Sequence, residues 1–311
     1  MTASVDPDWP PGEDVRPPRQ AALCVNAKSR RGAELFESAK KILVDGGLEL
    51  NSATAYRDPR ALTAAVRRLA ESDAPLVIVG GGDGTFSSVV RYFAKRKSVL
   101  GVLPLGTGNA FARDIGILTL EQACDSILNG KLSKVDMGVV GDQHFVNVAT
   151  VGVSTLVARG LDHGVKARWG KFAYIASLWR ALAVVKPFKV RLEIGGKVHE
   201  FESLQVVVGN GRFHAGPFPV APDASITGGF LSVYALASRR RRDFLRMALH
   251  MSGGHHVDLK EVVSYHALSG RLSCTPQRRV TVDGEICLTT PVEFRSLPHA
   301  LTVAVPSDTL G

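Results

Sequence analysis

The chain of 311 residues predicts an N-terminal α/β domain with a parallel sheet, followed by a C-terminal antiparallel β-sandwich. Three observations predict it. Apolar runs alternate with helix-period segments as far as about residue 130, the order expected of strands joined by crossover helices. Two of those runs end in glycine-rich turns. From Lys131 onward strand-like runs follow one another, punctuated by Gly, Pro and Asn, which suits a sandwich. The length fits roughly two domains of 100–200 residues.

Residues 1–19 precede the first element. Met1 to Gln20 carries five prolines with Asp6, Asp8, Glu13 and Asp14 and lacks a basic segment leading into an apolar one. It reads as a disordered Pro-rich tail and not a secretion signal. The α/β domain is expected over 20–130. Ala21–Val25 is a short strand, and Ala33–Asp45 has helical spacing (Leu35, Ala39, Ile42, Leu43) ending at Gly46-Gly47. Leu48–Ala55 is extended. Asp58 caps a helix that opens with Pro59 and runs to about Glu71. Leu76–Val79 is a buried strand, Phe86–Lys95 a helix and Val99–Leu103 a further strand. The sandwich is expected over 131–306, with strands Val135–Val140, His144–Val151, Phe188–Ile194, Leu204–Val208, Leu231–Ala235, Val262–His266, Arg279–Val282 and Leu301–Val305. Helices over about Trp169–Val185 and Arg239–Met251 interrupt it, and 307–311 form a short tail.

Apolar residues make up 45% and charged residues 22%, ordinary for a globular protein and excluding a mostly disordered chain. No run reaches the roughly 18 uncharged apolar residues of a membrane span; Phe172–Val185 is short and broken by Arg180. Cysteines 24, 124, 274 and 287 lie far apart with no CxxC. Cys24 and Cys287 fall in apolar runs that look like buried strands, where a thiol serves as a small hydrophobe. The set reads as reduced cytosolic thiols. Thirty-eight basic against 29 acidic residues leave a net charge of +9, which suits an anionic partner. No basic strip interleaved with aromatics is present, which argues against nucleic acid.

The strongest chemical signal is Gly80-Gly81-Gly82-Asp83-Gly84-Thr85, set between a strand and a helix. Glycines admit a ligand close to the backbone, and a helix start adds partial positive charge. Both favour phosphate. Pro104-Leu105-Gly106-Thr107-Gly108-Asn109 repeats the pattern after the next strand, with Thr85 and Thr107 offering hydroxyls. No GxxxxGK[ST] or GxGxxG motif is present, nor are the protein-kinase HRD and DFG elements. Asp83 decides between binding and transfer. A carboxylate about 4 Å from a phosphate charge is repelled by roughly 4 kcal/mol at an effective dielectric of 20. A divalent cation between them resolves the clash, and Mg²⁺, which joins few carboxylates to phosphates, is the expected ion.

Four segments, in order, resemble the diacylglycerol-kinase-type lipid kinases, a family that includes sphingosine and ceramide kinases: Val25–Gly32, the GGGDGT run, Pro104–Asp114, and Val282-Asp283-Gly284-Glu285. The resemblance spans about Gln20 to Pro306. It implies an ATP site in the cleft between an α/β domain and a β-sandwich that takes the lipid. By position it puts Asn26, Ser29 and Thr54 at the nucleotide and gives the phosphates to Gly81, Gly82, Asp83, Gly84, Thr85, Gly106 and Thr107. Asp136 matches an acid that joins the Mg²⁺ network with Asp83; a strand-edge acid is the plain alternative. Glu285 matches the proton acceptor for the lipid hydroxyl, ahead of Asp83, although Asp-Gly-Glu also makes a good hairpin turn. Where bacterial relatives carry Asp-Gly-Leu-Leu and a structural magnesium, this chain has Gly228-Gly229-Phe230-Leu231.

The resemblance implies γ-phosphoryl transfer from ATP to the hydroxyl of a neutral lipid, diacylglycerol first, with a sphingoid base or ceramide as alternative acceptors and an inactive nucleotide-binding regulator as the non-enzyme alternative. An NAD kinase is disfavoured because its Asn-Glu pair is missing from Gly106–Asp114. A lipid kinase without a span has to visit the bilayer, so the expected place is the cytoplasm and the inner face of the membrane. Arg239–Arg242 with Arg246 is the densest basic run for contact with an anionic surface, or else a solvated helix start. His250, His255, His256 and Asp258 read as a polar loop, not a metal cluster. The resemblance leaves a homodimer open.

Overall fold

The computed structural model describes residues 15–28, 30–160, 180–213, 221, 224–250 and 255–309. The chain forms two compact units. One holds the described residues through Met137 together with those from Leu297 on, and the other holds the described residues between Gly138 and Ser296.

In the first unit, strands β1 (Gln20–Asn26), β2 (Glu49–Tyr56), β3 (Leu76–Gly81) and β4 (Val99–Pro104) form a parallel sheet in the order β2-β1-β3-β4. The register sets Leu23 beside Ile78 and Ile78 beside Gly101. β3 is buried at every position and β1 at all but its ends, because helices cover both faces; such strands read as unbroken apolar runs. The helices are α1 (Arg30–Asp45), α2 (Pro59–Glu71), α3 (Asp83–Val89), α4 (Ala110–Asp114) and α5 (Leu120–Asn129). Asp58 caps α2 by accepting from the Arg60 N–H at 2.9 Å, with Pro59 opening the helix.

The expected helix over 86–95 is instead α3 plus a 3₁₀ turn at Val90–Phe93. It starts early because the glycine turn is itself its first turn. α4 and α5 have no counterpart in the expected elements. Thr119-x-x-Gln122, with Thr119 Oγ1 accepting from the Gln122 N–H at 3.2 Å, is a capping signal that was legible. The strand β5 (Lys131–Val140) follows.

The second unit packs a sheet ordered β12-β11-β10-β7-β14-β15 against strands β9, β8, β13 and the start of β16. Its strands are β6 (Gln143–Phe145), β7 (Val148–Gly152), β8 (Phe188–Ile194), β9 (Lys197–Ser203), β10 (Gln205–Gly209), β11 (Leu231–Leu236), β12 (Val262–Ala267), β13 (Ser269–Thr275), β14 (Arg279–Val282), β15 (Glu285–Thr289) and β16 (Val292–Val305). Phe145, Phe188, Phe294, Val151, Val206 and Val233 fill the space between the sheets. Helices α6 (Val153–Gly160) and α7 (Arg241–His250) cover the outer face of the first sheet through Val157, Phe244 and Met247, against Val207, Tyr234 and Leu236. Alternate residues of β7, β10 and β11 therefore meet the two layers, which is why these strands also read as continuous apolar runs. β16 ends in the first unit, where Val303 pairs in parallel with Leu100 of β4.

The antiparallel sandwich is as expected. The run 144–151 is broken into β6 and β7, and the polar strands β9 and β13 were not anticipated. Their solvent-facing charges (Lys197, Glu200, Arg271) hid a two-residue period. The expected helix over 169–185 lies outside the described residues except at 180–185, of which 180–184 are helical and Val185 is not. Among the described residues no helix is long and apolar enough to cross a membrane. Cys24, Cys124 and Cys274 are buried, but Cys287 is exposed. This corrects its expected burial: it sits on β15, the edge strand of its sheet.

Candidate active site

In the first unit β1, β3 and β4 end side by side, at Asn26, Gly81 and Pro104, the place where open α/β sheets hold ligands. Gly81 lies under Thr85: a Cβ there would meet Thr85 Oγ1 at 2.4 Å. Without that side chain Thr85 folds back over the turn, and its Oγ1 accepts from Asn26 Nδ2 at 3.1 Å. The Thr85 and Phe86 N–H groups close onto the Gly82 carbonyl at 2.9 and 3.2 Å.

The second turn locks onto the first. The Leu105 N–H donates to the Gly81 carbonyl at 2.9 Å, and a Cβ on Gly106 would stand 2.6 Å from Gly82 Cα. Only a residue without a side chain allows that approach. Asn109, at φ 51° and ψ 47°, adopts the left-handed conformation that asparagine tolerates. Both ends of its amide bond Gly106, each at 2.9 Å, which closes the loop that displays exposed Thr107.

Asp83 joins the two turns. Its Oδ1 accepts from the Ala110 N–H, the first of α4, at 2.6 Å. A carboxylate at a helix start is favoured by the exposed amides, so part of the charge of Asp83 is stabilised by the protein itself. Asp136 is fully buried on β5 and accepts the His299 N–H at 2.8 Å, where His299 turns at φ 52°.

The structure thus brings together Asn26, Gly81, Gly82, Asp83, Gly84, Thr85, Gly106 and Thr107. Ser29 lies outside the described residues. Thr54 is exposed on the edge strand β2, in register with Cys24 and bonded to the Tyr56 side chain. Burial and the neighbouring Cys24 push the Tyr56 phenol up. Asn109 and the Ala110 N–H are members that the expected set missed; the left-handed tolerance of asparagine between two glycine-containing turns was the available signal.

In the second unit Glu285 is exposed at the start of β15, opposite Val282. A two-residue turn precedes it: Asp283 at φ 44° and Gly284 at φ 93°. Near Gly228 the chain closes on itself, with the Gly228 N–H on the Ser225 carbonyl at 3.1 Å. A Cβ on Gly228 would meet the edge of the Phe230 ring at 2.8 Å. His250 Nδ1 bonds the Arg246 carbonyl at 2.8 Å, His255 reaches Asp258, and buried His256 packs edge-on against Tyr234. Among the described residues no group of three or more His, Cys, Asp or Glu could hold a metal.

The arginine run is largely engaged. Arg239 pairs with Glu202 at 2.9 Å, Arg242 with Asp243 at 3.7 Å and Arg246 with Glu261 at 3.7 Å, while Arg241 donates to the Val185 carbonyl at 3.4 Å.

Comparison with known proteins agrees with this architecture. The profile described as Diacylglycerol kinase catalytic domain matches residues 20–140, and that described as YegS C-terminal NAD kinase beta sandwich-like domain matches residues 147–305. A Bacillus subtilis protein named Diacylglycerol kinase is 29% identical over 79% of this chain and 82% of its own length. A Staphylococcus epidermidis protein of the same name is 29% identical over 93% of each chain. A Bacillus anthracis crystal structure, provisionally described as a diacylglycerol kinase, shares the fold at TM-score 0.80 with 24% identity, covering 97% of this chain and 100% of that one.

Proposed function

The chain belongs to the diacylglycerol-kinase-type lipid kinase family, and from that premise we propose that it transfers the γ-phosphoryl group of ATP to the hydroxyl of a neutral lipid, diacylglycerol before a sphingoid base or ceramide. One observation carries this: two glycine turns at neighbouring strand ends lock together at Gly82 and Gly106, with an acid, Asp83, seated on the helix start between them.

Phosphoryl transfer goes through a loose transition state, so positioning and charge stabilisation do most of the work. Backbone amides of Gly82–Gly84 and Thr107 hold phosphate oxygens, helped by the Thr85 and Thr107 hydroxyls, while Gly81 and Gly106 let the turns come close enough to present them. Asn26, Ser29 and Thr54 line the nucleotide. Mg²⁺ suits the donor set, since it needs only one or two carboxylates beside phosphates and water. Half-buried Asp83 would meet it, and fully buried Asp136 would add charge to the same network. When bound, the ion neutralises the repulsion between Asp83 and the phosphates. Glu285 orients the acceptor hydroxyl and takes its proton late in the transfer. Arg240 offers charge for transient contact with an anionic bilayer.

A lipid-panel phosphorylation assay with Asp83→Asn and Glu285→Gln controls tests the assignment. Transfer to diacylglycerol that falls at least a hundredfold in both variants supports it. Preferred transfer to a sphingoid base or ceramide moves the acceptor, and turnover of a soluble acceptor with no lipid phosphorylated refutes a lipid kinase.

A further inference from the structure

We infer that Asp283 is a positioning residue, whose inward-turned carboxylate fixes the tip of the β14–β15 hairpin and thereby sets the direction of Glu285. The inference rests on the proposed role of Glu285 as proton acceptor. Glu285 is exposed on an edge strand, where a long side chain has many rotamers. Its direction is only as well defined as the backbone that carries it.

That backbone is held on both sides. Ahead of Glu285, Asp283 Oδ1 accepts from the Asn147 and Val148 N–H groups, both at 3.0 Å, and Oδ2 accepts from the Val146 N–H at 3.1 Å. These three consecutive amides run through the link after β6 into the first residue of β7. The Asp283 N–H returns a bond to the Val148 carbonyl at 2.9 Å. Charged acceptors make the stronger hydrogen bonds, and here two carboxylate oxygens hold three donors at 7% exposure.

Behind Glu285, the ladder pairs Val280 with Leu288 but Thr281 with Ile286. Cys287 is the extra residue of a bulge, and its thiol donates to the Glu285 carbonyl at 3.3 Å. Bulges bend a strand and re-aim a neighbouring side chain.

Turn chemistry alone accounts for part of this. A two-residue hairpin with positive φ at both positions favours Asp-Gly, and that preference would be met with the aspartate pointing into solvent. It does not account for a carboxylate turned inward onto amides that lie more than 130 positions earlier in the chain. Tethering the turn to β6 and β7 is what the inward carboxylate adds, and Glu285 is two residues away.

The test is a double-mutant cycle in the full chain, read as kcat and KM for ATP in the lipid assay. Asp283→Asn keeps the shape but replaces one acceptor oxygen with a donor. It should lower kcat at least tenfold with KM for ATP within twofold, and should cost nothing further once Glu285→Gln is present. Gly284→Ala strains the turn at φ 93° while leaving the carboxylate and its amides in place. It gives a second cycle with the same expectation if the first variant does not fold. Losses that multiply in the double variants, or an unchanged kcat in the singles, overturn the positioning role. Wild-type turnover by Glu285→Gln alone sinks the proton-acceptor role itself, and the inference with it.

Discussion

The lock between the glycine turns predicts a graded response to added methyl groups. At Gly106 a Cβ would sit 2.6 Å from Gly82 Cα and 2.8 Å from Asn109 Oδ1. The first obstacle is backbone, so the turns have to separate. Overpacking of this kind costs about 1–3 kcal/mol; expressed in transition-state binding, that is roughly a 5- to 150-fold loss in kcat/KM. At Gly82 the nearest heavy atom would lie at 3.2 Å, a conflict that a shift of a few tenths of an ångström relieves. Gly84 meets nothing within 4 Å. Gly106→Ala should therefore lose most of kcat/KM for ATP, Gly82→Ala several-fold, and Gly84→Ala should keep its melting temperature. A KM effect confined to Gly84→Ala would then report the phosphate itself over the helix start. Radiolabel transfer from ATP to micellar lipid, beside thermal melts, reads all three. Wild-type kcat/KM in Gly106→Ala, or equal loss of melting temperature at all three positions, would refute the reasoning.

Removing Mg²⁺ with a chelator should weaken ATP binding at least tenfold in equilibrium dialysis, and Asp83→Asn should shrink that difference. Burial pushes three thiols up from 9.0, to about 11 for Cys24, about 12 for Cys124 and about 11 for Cys274. A raised folded value stabilises below the unfolded one and is lost as pH rises. Unfolding free energies from urea melts should thus hold to about pH 9 and fall above it, by up to about 1.4 kcal/mol per pH unit for each thiol; a flat profile to pH 10.5 would contradict their burial. One thiol, Cys287, should react with a disulfide reagent in the native protein, and slowly, because partial burial and then Glu285, Asp142 and Asp283 push it up. Replacing Arg240 with Gln should weaken partitioning onto acidic liposomes by about 1 kcal/mol, near fivefold. Equal loss from Arg239→Gln, whose charge is already paired with Glu202, would show that pairing does not decide the contact.

The amino-acid sequence by itself determined the parallel α/β order, the antiparallel half and the two glycine turns. Continuous apolar runs are what strands covered on both faces require, and no side chain but hydrogen fits where Gly81 and Gly106 stand. It also singled out Asp83, and the resemblance added Glu285, as the acids of the proposed transfer. Only the tertiary structure decided what those acids lean on. Asp83 rests on an amide 27 positions away and Asp136 on one 163 positions away, and the hairpin of Glu285 is tied down by Asp283. It likewise revealed that Cys287 faces outward and that Arg239 and Arg246 already have partners. Local patterning records which face of an element is apolar. Pairings between distant residues arise when the sheets assemble, and they leave no periodic trace along the chain.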